Sequence, residues 1–158
     1  MRHHDFHLEG YEVSDHGKKI LLRLHSSLDN PKPETSLSRF SDVAMYDFEH
    51  TDGAIITNIK EVELGKTLAE SEVMFRAQAA QSGLRDWKAD FSGYKRYLED
   101  AGYKAWHIDS AIGFSGLVIA REAVQLGRIT GEWNMRPAGA GPHRRCATSR
   151  PLALTVIP

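Results

Sequence analysis

The chain has 158 residues, 41% of them apolar and 26% charged, and its 20 basic and 21 acidic side chains leave a formal charge of -1. That length supports one domain with its own hydrophobic core, without help from disulfides or a structural metal. The balanced charge excludes a global field for nucleic acid or anionic lipid. Apolar runs such as Leu117 to Ala120 are far too short to span a bilayer, and the single Cys146 excludes an internal disulfide.

No basic N-terminal end leads into an apolar stretch, so no secretory signal and a cytoplasmic location are expected. From Phe6 to Ser14, Phe6 and Leu8 share one parity and Tyr11 and Val13 the other, with Gly10 between them. A glycine at a change of phase predicts a bulge. Asp15-His16-Gly17-Lys18 is a turn signal, and Ile20 to Leu24 is the natural hairpin partner. Residues 25 to 36, with Asn30, Pro31 and Pro33, form a loop. A second pair of strands is expected at Phe40 to His50 and Ile55 to Leu64, with Thr51-Asp52-Gly53 as the turn.

Thr67-Leu68-Ala69-Glu70 has the form of a capping box, which predicts a helix from Thr67 to the Ser82-Gly83 stop, with Leu68, Val73, Met74 and Phe75 on its apolar side. A second helix is expected from about Ser92 to Asp100, ended by Gly102. Strand character resumes from Lys104 to Ile112, with Trp106 and Ile108 on one face and His107 and Asp109 on the other. Gly113 to Gly116 then serve as the turn of a C-terminal hairpin. Strands grouped around one or two helices predict an α+β domain over residues 1–127, its bent antiparallel sheet forming two layers or a partly open barrel. Residues 128–158 change composition: they hold five arginines, one acid (Glu132) and most of the prolines, and predict a basic tail, extended or disordered.

Candidate chemistry is sparse. In a strand His3, Asp5 and His7 would share a face and offer two imidazoles and a carboxylate to an ion such as zinc, the basis of an alternative reading as a metal-assisted hydrolase. Ser115 lacks the glycine spacing of a nucleophile elbow, and His107 and Asp109, two apart on a strand, point the same way rather than forming a relay. No phosphate-binding glycine motif occurs, and no cofactor is expected. Asp42, Asp47, Glu49, Glu61 and Glu63 lie on the second strand pair and offer an acidic face to a basic partner, while Trp133 beside the arginine-rich tail offers a stacking surface. A non-catalytic protein-binding module is therefore the leading expectation, with a protein partner, no membrane, and homo-oligomerisation left open.

The run His4 to Gly10, then Lys19 to Leu24, Phe40 to Asp47 and Ile59 to Val62, resembles small β-rich bacterial proteins, some of them grouped with the immunity proteins of polymorphic toxin systems. The resemblance spans residues 4–64 and implies a non-enzymatic protein that binds and neutralises a cognate toxin. A looser likeness, carried by Leu8-Glu9-Gly10, Asp15 and Ile20 to Leu24, is to Sm-like RNA-binding barrels. It implies an RNA partner, for which Arg144 and Arg145 are the candidate contacts. This chain departs from that pattern in lacking the asparagine after the aspartate and the helix before the strands.

Overall fold

The computed structural model describes residues 2–26, 34–82, 87 and 90–130. Strand β1 (Arg2–Ser14) turns at Asp15-His16-Gly17 into β2 (Lys19–Ser26), and the two pair antiparallel from Phe6↔Ser26 to Ser14↔Lys19. Gly17 takes the left-handed φ of 86° that the turn requires. The register slips between Leu8 and Gly10, so the expected bulge is present with Glu9 as the extra residue. Along β2 the alternation is complete: Ile20, Leu22 and Leu24 are each buried, and the residues between them are not.

Strand β3 (Glu34–Val62) pairs with β2 from Thr35 to Ser41 and with β4 (Lys104–Thr130) along almost its whole length. The α+β class with a bent antiparallel sheet is as the sequence predicts, but the strands in its second half have different partners. Phe40 to His50 and Ile55 to Val62 do not pair with each other; both arms pair with β4. The reason lies in the register. His50 faces Phe114 and Ile55 faces Ile112, so residues 51 to 54 on β3 stand opposite Gly113 alone on β4. Gly53 and Gly113 have φ of 76° and 75°, and the two apparent turns together make one corner in a continuous two-stranded ribbon. The Ser110 hydroxyl donates to the Phe114 carbonyl across this corner.

Bending brings the second arm of β3 back onto β1, through Phe6↔Ile56 and His7↔Ile55, so the sheet closes on itself as a ring. The sheet has four strands, or five if the arms of β3 are counted separately. Inside the ring, Phe6, Ile20, Leu22, Leu24, Phe40, Ile56, Ile59, Trp106, Ile108 and Val118 form one core. β4 continues through Thr130, which pairs with Glu34; the rest of segment 128–158 lies outside the described residues.

Among the described residues, three helices sit between β3 and β4. The first helical segment starts earlier than predicted and breaks in the middle, giving α1 (Leu64–Glu70) and α2 (Glu72–Ser82), with Ser71 as the C-cap of α1. Glu63 is the N-cap and makes no side-chain cap bond. The Thr67 hydroxyl instead donates to the Glu63 carbonyl at 2.9 Å from within the helix, so the capping box does not form. Packing decides the boundary, because starting at Leu64 places Leu64 and Leu68 four apart against the sheet. Val73, expected on the apolar side, is 83% exposed, whereas Phe75 is fully buried.

α3 (Phe91–Asp100) matches its prediction closely. The Asp90 side chain accepts from the Gly93 N–H at 2.6 Å, and Gly102, at φ 72°, ends the helix. Leu68, Phe75, Phe91, Tyr94 and Leu98 pack on Met45, Ala105 and Ile119 of the outer sheet face as a second core. Among the described residues no helix is long and apolar enough to cross a membrane.

Gly116 shows how tightly β4 packs inside the ring. A Cβ there would lie 2.5 Å from Phe114 Cε1 and 3.1 Å from both Cβ and Cδ1 of Ile108. Gly116→Ala is expected to cost about 1–3 kcal/mol by overpacking, measured as a lower urea midpoint with unchanged slope.

Candidate functional site: an acidic groove on the outer sheet face

Trp106 and Ile108 point into the ring, so His107 and Asp109 between and beyond them must point out. Lys60 on β3 is the register partner of His107, and Asp47 is the partner of Leu117. These side chains lie where the helical layer stops covering the outer face. The result is a groove of 670 Å³, floored by Asp47, Lys60, Val62, His107 and Leu117 and walled by Glu63, Lys66, Thr67, Glu70, Ser71 and Met74.

Two of its groups, Lys60 and His107, meet on Asp109, which is not itself part of the lining. Asp109 Oδ1 lies 2.9 Å from His107 Nδ1, and Asp109 Oδ2 lies 2.9 Å from Lys60 Nζ. Pointing the same way, as expected of residues two apart on a strand, is what lets His107 and Asp109 touch. Against an ionised carboxylate it is the Nδ1–H that donates. Partial burial raises the Asp109 carboxyl, the largest single influence, but the hydrogen bonds from Lys60 and His107 and their charges together hold it below its ordinary value.

A carboxyl lowered in the folded state adds stability above its unfolded pKa, and that contribution disappears as pH falls through the folded value. Asp109→Asn is therefore expected to lower stability at neutral pH by less than about 1 kcal/mol, as for other half-exposed ion pairs. The gap between wild type and variant should close below pH 3.8, the ordinary value from which Asp109 is lowered. Urea titrations of both proteins at neutral and acid pH would check this.

The other groove charges are less evenly matched. Lys66 is 3.8 Å from Glu70 on the next turn of α1. The carboxylates of Asp47 and Glu63, one from the sheet and one from the helix N-cap, have no ion pair or hydrogen bond among the described residues. The groove thus presents two carboxylates without a salt-bridge partner, and an imidazole, beside the apolar groups of Val62, Leu117 and Met74.

Of the five acids singled out from the sequence, the structure brings only Asp47 and Glu63 into this groove. Glu61 is tied to Lys104 at 2.9 Å, and Asp42 and Glu49 are exposed on β3 outside the groove lining. Trp133, Arg144 and Arg145 lie outside the described residues, as do the side chains of His3 and Asp5. His7 stacks on His25 with ring centroids 5.3 Å apart. Among the described residues no three His, Cys, Asp or Glu side chains are grouped to hold a metal ion. Lys60, Lys66, Ser71 and Met74 were missed; the only sequence signal near them is the His-x-Asp spacing on a strand opposite a lysine.

Comparison with known proteins adds no relative: no family model, no curated protein and no solved structure matches the chain.

Proposed function

We propose that this chain is a non-catalytic protein-binding module and that the outer-face groove receives a basic side chain of its partner. One observation carries the reading: Asp47 and Glu63 come from different elements and line one concave surface, and neither carboxylate is in a salt bridge among the described residues. Carboxylates held ready in this way favour a cationic partner, steering its approach and rejecting acidic competitors. The apolar groups between them supply the contact area that charges alone lack. An immunity-type role in the bacterial cytoplasm, in which the bound partner is a toxin, is the specific form of this proposal that the resemblance of residues 4–64 suggests.

Capture of partners on the immobilised chain tests it. Wild type should retain a stoichiometric protein that elutes at raised salt, and Asp47→Asn/Glu63→Gln should retain markedly less. A partner held equally by the double variant and indifferent to salt would refute the groove as its site. Repeated recovery of no partner, together with robust turnover in a hydrolase screen, would refute the module.

A further inference from the structure

The ring is not closed everywhere. β1 meets β3 at Arg2, Phe6 and His7, and the Val43 N–H donates to the Lys18 carbonyl at 2.9 Å near the other end. Between these points, among the described residues, β1 from Leu8 to Ser14 pairs with β2 and not with β3, and β3 from Met45 to His50 pairs with β4 alone. Two strand edges therefore face each other across a seam.

The two faces of the seam differ in chemistry. On the inner side, Tyr11 of β1 reaches across to Phe48, with centroids 5.0 Å apart, and to His50, at 6.3 Å. Tyr11 and Val13 remain 40% and 36% exposed, so this side is apolar yet open to solvent. On the outer side Asp47 and Glu49 follow Met45 by alternation. Glu9, Asp47 and Glu49 are exposed and have no ion pair among the described residues.

We propose that this seam docks an extended segment of a partner protein, with alternate residues apolar and basic. The inference rests on the protein-binding reading above but uses an adjoining surface, which shares Asp47 with the groove. Unpaired strand edges are templates for a further strand, which would supply backbone hydrogen bonds. Period-two alternation sends one set of the guest's side chains in against Tyr11 and Phe48 and the other set out toward Asp47 and Glu49. The charge on the outer side selects lysine or arginine there. It also disfavours a second copy of this chain, whose own edges would set Glu9, Asp47 and Glu49 against like charges.

Amide hydrogen exchange on the full chain tests the proposal, with a blocked hexapeptide of alternating valine and lysine as the probe. Saturating peptide should slow exchange of amides within residues 9–13 and 44–50 by roughly tenfold, the mark of edges that have gained a strand. Glu49→Gln, at an exposed position outside the groove, should weaken peptide affinity by about twofold, as expected for one surface ion pair. A valine–glutamate peptide, or three valines followed by three lysines, should leave the amides unchanged. No slowing, or equal slowing by the control peptides, would overturn the proposal. So would protection already present without peptide: if it grows with protein concentration the occupant is a second copy, and if not, the seam is filled from within the chain. A partner captured through the groove that leaves these amides untouched would retire the seam alone.

Discussion

Phe40→Ala should be among the most destabilising substitutions in the chain, costing about 3–5 kcal/mol through lost burial and the cavity left behind. Phe40 is fully buried, pairs with Ile20 on β2 and Ala123 on β4, and packs edge-on against Trp106 at 6.0 Å. It thus joins three strands at the point where β3 passes from one neighbour to the next. A small domain has only about 5–15 kcal/mol of stability in total, so the variant should be close to unfolding. Chemical denaturation followed by tryptophan fluorescence would measure the loss. A decrease under about 1 kcal/mol would mean that the ring core relaxes into the gap, contrary to the close packing described around Gly116.

Tyr94→Ala should cost a similar amount, about 3–5 kcal/mol, but with a different structural signature. Tyr94 is fully buried in the core between helices and sheet, where its ring lies near those of Phe75, Trp87 and Tyr97. The ring core contains none of the helical residues, so removing Tyr94 should loosen α1, α2 and α3 before the strands. Hydrogen exchange should accelerate first in residues 64–82 and 91–100, with β2 and the first arm of β3 retaining protection. Because α1 and α2 wall the groove, binding of a basic partner should weaken together with helix protection. Uniform acceleration across strands and helices would instead show that the two cores unfold as one unit.

Both expectations depend on features that the sequence shows unevenly. Strand β2 is legible because Ile20, Leu22 and Leu24 alternate without interruption, and α3 because Tyr94, Leu98 and Gly102 mark its buried face and end, while its cap at Asp90 emerges from the structure. The corner of the β3–β4 ribbon is not legible in this way. Gly53 and Gly113 each carry the local signal of a hairpin tip, and only the register, which sets residues 51–54 opposite Gly113, turns two tips into one bend. Local chemistry specifies a left-handed φ but not which strand continues beyond it. The break at Ser71 is similarly hidden, since Leu68 and Phe75 fit a single continuous helix as well as two short ones.

The site follows the same pattern. Asp47 and Glu63 stand out as acids on strands, but sixteen residues separate them, and they meet only because α1 begins immediately after Glu63 and folds over the sheet. His107 and Asp109 were visible as neighbours on one face; the partnership with Lys60 required the cross-strand register. Glu61, equal to Glu63 in every sequence respect, is neutralised by Lys104.

The most direct test of the groove is a magnetic-resonance titration of the folded chain with argininamide, a small cation carrying no other partner surface. Signals of the His107 ring and the Met74 methyl group should shift saturably in the wild type and lose most of that response in Asp47→Asn/Glu63→Gln. Equal shifts in the double variant, or shifts scattered over the surface with none at His107 and Met74, would contradict the account.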